Sequence, residues 1–250
     1  MKTNYLTAAI IMLLALTLAA FPQNAKDIVK AADEKMRGNT FQGDLTIKII
    51  RPDWQRDMGV KVWLKGKNYS MILITSPAKD EGSSFLKRKK EVWNWVPSVE
   101  KVIKLPPSMM NQSWMGTDFT NDDLVKEASV IDDYDHSLSG TENIDGRECY
   151  KIAMTPKSSA AVVWGKVIVW IDTKDYIELK SEFYDEEGYL INTMNASQVK
   201  NMGGRTIPSY FEMIPADRGG YKTVMIYNSC IFDESISDNF FTTQNMKSLK

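Results

Sequence analysis

The sequence holds one histidine, His136, and two cysteines, Cys149 and Cys230, in 250 residues. That stock leaves little room for zinc or triad chemistry, and the wide cysteine spacing matches no metal-binding pattern. Basic excess is missing too: 31 Lys and Arg stand against 32 Asp and Glu, for a net charge of -1. A nucleic-acid partner is therefore not expected, because phosphate binding requires a broad positive surface. The local run Lys87-Arg88-Lys89-Lys90 reads as a solvated hairpin tip. No Ser lies in a Gly-x-Ser-x-Gly elbow. The pairs Asp122-Asp123, Asp132-Asp133 and Glu186-Glu187 fit turns or opposite strand faces better than a glycosidase or calcium site. An acid/His pair is conceivable only in "DDYDHSLSG" around His136, where Asp132, Asp133 and Asp135 lie close in sequence. No enzymatic activity, cofactor or metal site is expected.

Long apolar runs are absent beyond the first 25 residues, so no later segment reaches the ~18 residues of a membrane span. The N-terminus itself carries Lys2, an apolar run from Leu6 to Phe21, and no charge until Lys26. This is the pattern of a secretory signal peptide over residues 1–25, cleaved after Ala20 or Ala25. No Cys follows the run, so a lipid-anchored N-terminus is not expected. Residues 26–250 then form a single domain, soluble in a bacterial periplasm and monomeric. In that oxidising compartment Cys149 and Cys230 either pair or remain two buried thiols.

What is present is mostly β pattern. Ile28, Val29, Ala31, Ala32 and Met36 recur at helical spacing over Asp27 to Arg37, with Gly38 as a stop. From there apolar residues alternate with polar ones, broken by turns such as Gly66-Lys67-Asn68 and Asp217-Arg218-Gly219-Gly220. Leu45, Ile47 and Ile49 form one such set, and Val60, Val62 and Leu64 another. Val162 to Asp172, Leu190 to Val199 and Arg205 to Met213 each read as one continuous strand. The pattern predicts a long antiparallel meander of about a dozen strands. A sheet of that width curls into a barrel or bends strongly.

One stretch breaks the rhythm. In "EVWNWVPSVEKVIKLPPSMMNQSWMGTDF", Trp93 and Trp95 share one strand face and Val92 and Val96 the other, and Pro106-Pro107 ends the pairing. Met109, Met110, Trp114, Met115 and Phe119 follow, with Thr120 or Asn121 as a helix N-cap ahead of "DDLVKEA". These residues read either as plain core or as an adaptable lid over an apolar space whose sheet side is Leu45, Ile47, Ile49, Val60, Val62 and Leu64. On the second reading both groups are the candidate ligand-binding residues.

Signal peptide, "DIVKAADEKMRG", the meander, "VWNWVPSVEKVIKLP", "MGTDFTNDDL" and "WIDTKDYIELKSEFYDEEG" together resemble the LolA-like family, in its outer-membrane lipoprotein-sorting branch. The resemblance implies a mainly β fold with a few helices: an unclosed antiparallel β-barrel of about eleven strands, with helices plugging the concave side. It further implies an apolar cavity that holds acyl chains of lipoproteins or other lipids, received from an inner-membrane transporter and delivered to an outer-membrane acceptor. No definite residue here aligns with the lid-locking arginine of the family's lipoprotein carriers. Burying ~16 methylenes at ~0.8 kcal/mol each supplies on the order of 10 kcal/mol, which demands a closed cavity rather than a groove. The rival readings are a carbohydrate-binding module with Trp93 and Trp95 as a stacking platform, and an envelope-protein interaction module without acyl cargo.

Overall fold

The computed structural model describes residues 24–126 and 130–249 of the chain. The expected signal peptide falls almost wholly on residues 1–23, outside the described residues. Helix α1 (Ala25–Arg37) starts where Asn24 caps it, its side-chain oxygen accepting from the Lys26 amide at 3.0 Å. It stops at Gly38, whose amide bonds the Glu34 carbonyl and whose φ is 62°. A Cβ there would lie 2.7 Å from Asp233 Oδ1 and 2.9 Å from an Arg205 guanidinium nitrogen, so both conformation and space call for glycine.

The strands are β1 (Thr40–Arg51), β2 (Trp54–Lys65), β3 (Tyr69–Ser76), β4 (Ser84–Arg88), β5 (Glu91–Val96), β6 (Lys101–Lys104), β7 (Tyr134–Ile144), β8 (Arg147–Pro156), β9 (Lys166–Asp172), β10 (Glu178–Tyr184), β11 (Leu190–Ser197), β12 (Lys200–Met202), β13 (Arg205–Ile207), β14 (Tyr210–Pro215) and β15 (Lys222–Phe232). Thirteen of them form one antiparallel sheet in the order β6-β5-β4-β3-β2-β1-β15-β14-β11-β10-β9-β8-β7. The fold class is therefore as the sequence implies, an unclosed antiparallel barrel, with thirteen strands in place of about eleven.

The topology is not a simple meander. Strands β1 to β6 step outward to one edge; the chain then crosses to the opposite edge at β7 and steps inward until β15 pairs with β1, Ile47 opposite Met225. The segment between β6 and β7 thus connects the two free edges across the open side. The expected strand 190–199 is found as β11, two residues shorter, whereas 205–213 is broken: Arg205–Ile207 pairs with β12 in a small hairpin and β14 starts at Tyr210, because Pro208 has no amide to donate to a ladder. Residues 162–165 precede β9 instead of belonging to it.

Each half of the concave face has its own cover. Ile28, Val29 and Ala32 of α1 pack with Ile152 and Met154 of β8 and Val167, Val169 and Ile171 of β9. Met110 and Trp114 of the β6–β7 connection pack with Leu45, Ile47, Ile49, Met58, Val60, Ile72, Phe85 and Val92 of β1–β5. Outside the sheet, a C-terminal segment ending in α2 (Thr243–Ser248) lays Ile236, Phe241 and Met246 on Met71, Leu86, Trp93 and Trp95. The two thiols lie in separate clusters and are unpaired: Cys149 with Trp170, Ile177 and Leu179, Cys230 with Phe41, Leu64, Met202 and Ile207. Burial pushes each up to about 11.

Candidate functional site: an apolar cavity under a latched segment

Between the two covers lies a cavity of about 280 Å³. Its walls come from β1–β3, β7–β11, β14 and β15, which face one space only because the sheet curls around it. The expected residues Leu45, Ile47, Val60, Val62 and Leu64 line it from the sheet, and Trp114 and Phe119 from the connection. Ile49, Met109, Met110 and Met115 do not. Ile49 and Met110 are buried in the cluster beside the cavity, and Met109 and Met115 pack half-buried against that cluster. These four fill the seam between connection and sheet, where apolar contact fastens the cover down.

The soft wall lies elsewhere than the sequence suggests. Met154, Met194, Met213 and Met225 line the cavity from β8, β11, β14 and β15, together with Val167, Val169, Phe183 and Tyr227. The period-two pattern was visible in all of these strands. Which face was concave was not, because β1 and β15 meet only in the folded sheet. Trp93 and Trp95 stand on the opposite, convex face, half-buried against the C-terminal segment.

The connection is internally satisfied. The Trp114 amide donates to the Phe119 carbonyl at 2.9 Å, Asn121 to Gln112 at 2.9 Å and Asp122 to Met110 at 3.0 Å. Thr120 caps the turn Asp122–Lys126 in reciprocal fashion: its amide donates to Asp123 Oδ2 at 2.8 Å, and the Asp123 amide donates to its hydroxyl at 3.1 Å. Asp123 also accepts from Trp164 Nε1 at 2.8 Å, which ties this turn to the segment before β9. Burial raises the Asp123 carboxyl above its ordinary range, and hydrogen bonds from the Thr120 amide, the Trp164 indole and the Thr120 side chain oppose the shift.

A buried ion pair latches the connection to the end of β1. The Arg51 guanidinium spans both Asp118 carboxylate oxygens at 2.9 and 3.2 Å and also donates to the Gly116 carbonyl at 3.0 Å. Both side chains are buried, at 7% and 1% exposure. The Thr223 hydroxyl donates to Asp118 Oδ2 at 2.7 Å while accepting from the Asp118 amide at 2.9 Å. The Met115 carbonyl accepts from Arg56, at a turn where Met115 and Gly116 take φ of 52° and 81°. Asp118 and Gly116 belong to the "MGTDF" block, and sequence alone offered no way to pair them with Arg51.

At the α1 end the wall becomes polar. Arg37, Glu178 and Ser181 line it, Arg37 bonding Asp33 at 2.8 Å and Ser181 donating to Glu178. Burial, reinforced by the nearby Asp33 charge, pushes Glu178 from 4.5 up to about 7. A carboxyl with a raised folded value holds more protons folded than unfolded between those limits, so stability falls as pH rises from about 4.5 to 7. Glu178→Gln should remove this slope and gain roughly 1–3 kcal/mol over wild type at pH 8, and nothing at pH 4. Urea unfolding at the two pH values checks it; equal effects at both would refute the assignment.

The other sites considered from sequence are not assembled. His136 Nε2 lies 2.7 Å from the Val130 carbonyl, a backbone contact, and burial lowers the imidazole value. Among the described residues no group of three or more His, Cys, Asp or Glu is placed to hold a metal. No described helix is long and apolar enough to cross a membrane.

Three solved structures share this architecture. A DUF1329 family protein from Desulfovibrio piger superposes with TM-score 0.81 at 22% identity, covering 89% of this chain and 97% of its own. A LolA superfamily protein from Nitrosomonas europaea gives 0.76 at 27% identity, covering 88% and 98%. A domain named for outer membrane lipoprotein sorting, from Vibrio parahaemolyticus, gives 0.77 at 19% identity, covering 90% and 100%. No curated protein matches the sequence. A family model described as "uncharacterized protein" matches residues 66–248. The chain belongs to that family, and its fold is that of the LolA-like proteins.

Proposed function

We propose that the protein is a periplasmic carrier, without catalytic activity, that takes up acyl chains of lipids or lipoproteins in this cavity and moves them across the cell envelope. The observation that carries the reading is a largely apolar cavity between the curled sheet, the end of α1 and the connection, with Met side chains on several strands to adapt its shape. The LolA-like fold and the sorting-domain neighbour support it. On this reading the chain acts as a monomer between an inner-membrane donor and an outer-membrane acceptor.

Volume sets the load. A dry cavity of ~150 Å³ takes up benzene, so one of about 280 Å³ has room for roughly a dozen carbons, most of a single chain. At ~0.8 kcal/mol per methylene that is on the order of 10 kcal/mol gross, about what the same carbons give up on leaving a membrane. A two- or three-chain lipid requires the connection to move. Native mass spectrometry of protein purified from a bacterial host, before and after organic extraction, should show a bound lipid that extraction removes, and an uncharged fluorescent acyl probe should then bind in its place. If no lipid is carried over and the stripped protein ignores the probe, the carrier reading fails.

A further inference from the structure

The polar groups of the cavity restrict what the end of an acyl chain can be. Among the described residues, four ionisable side chains other than Tyr line it: Arg37, Asp122, Asp123 and Glu178. Arg37, the one cation among them, bonds Asp33 at 2.8 Å. Both Asp123 oxygens are occupied, Oδ1 by Trp164 and Oδ2 by Thr120. At Glu178 the Ser181 hydroxyl donates to Oε1, and no other donor among the described residues reaches the carboxyl. Among the described residues the lining thus has carboxyl oxygen to accept from a ligand, and three carboxyl groups against one already paired cation.

We propose that the cavity selects acyl chains whose polar end carries no negative charge, esters, amides or alcohols, over free fatty acids and acyl phosphates. The inference rests on the carrier reading and narrows its cargo. A carboxylate or phosphate brought inside would lose its hydration and face like charge, a cost it escapes only by taking up a proton. A glycerol ester, an amide or an alcohol carries no such charge and supplies a hydroxyl or amide donor for Glu178.

The test is competition on the delipidated full chain at pH 8, with a fluorescently labelled monoacylglycerol as the bound probe. Monopalmitoylglycerol should displace it at a concentration roughly tenfold or more below that needed for palmitate. Glu178→Gln should narrow the gap several-fold, because removing the charge strengthens palmitate more than it changes the ester. Palmitate competing as well as the ester overturns the inference and leaves the carrier reading standing, and that comparison needs only the wild-type protein. A gap that Glu178→Gln does not change overturns the role given to Glu178. Failure of the probe and both competitors to bind overturns the carrier reading and this inference together.

Discussion

Replacing Arg51 with Met should lower the unfolding free energy by roughly 3–5 kcal/mol, since it strands the Asp118 carboxylate in a buried site with only Thr223 and the distant Arg218 to compensate. An exposed ion pair would cost under about 1 kcal/mol, so the two descriptions of the pair are well separated. Urea unfolding followed by circular dichroism makes the measurement. A loss under about 1 kcal/mol would show that the Arg51–Asp118 pair does not fasten the connection. The companion double variant, Arg51→Met with Asp118→Leu, should recover most of the loss, because a buried pair is about as well replaced by apolar groups as kept. Proteolysis should separate the effects: the single variant should become sensitive within residues 106–122 before the sheet is attacked.

Trp114→Ala should cost about 3–5 kcal/mol. Trp114 is 1% exposed, packs on Phe85 with ring centroids 5.5 Å apart, and forms part of the cavity wall. Removing the indole cannot be repaired by collapse, because its surroundings are a β-sheet fixed by its ladders on one side and a void on the other. Met109→Ala, at a half-buried site beside the cavity, should cost no more than about 1–2 kcal/mol. The contrast decides between the two readings of the Met- and Trp-rich stretch. If Trp114→Ala is as mild as Met109→Ala in denaturant, the stretch is a loose cap; if the gap appears, it is core that also walls a binding space.

Much of this was readable from residue order. The helix over Asp27 to Arg37, the alternation of β1 to β3 and the departure from β pattern at Pro106-Pro107 are local signals, and each sits where the sequence puts it within a residue or two. Leu45, Ile47, Val60, Val62 and Leu64 line the cavity because period two fixes which residues share a face. What could not be read depends on distant pairing. That β1 lies beside β15, that Arg51 meets Asp118, and that Met213 and Met225 face the same space as Leu45 all follow from sheet order, on which local pattern is silent. Met109, Met110 and Met115 mislead for the same reason: a run of soft apolar residues looks alike whether it faces a void or a seam.

The path of the chain across the open side has a final consequence, for motion. Residues 105–126, the described stretch that leads from β6 toward β7, would span roughly 75 Å if extended at ~3.4 Å per residue, yet they fold back on themselves through the Trp114–Phe119, Asn121–Gln112 and Asp122–Met110 bonds. They are held against the rest of the chain by contacts with Arg51, Arg56, Phe85, Thr223 and Trp164. Releasing those contacts breaks no rung of the thirteen-stranded ladder. Amide hydrogen exchange should accordingly fall into two tiers, with residues 106–122 exchanging through an opening far cheaper than global unfolding and β1, β2 and β15 exchanging only when the whole sheet comes apart.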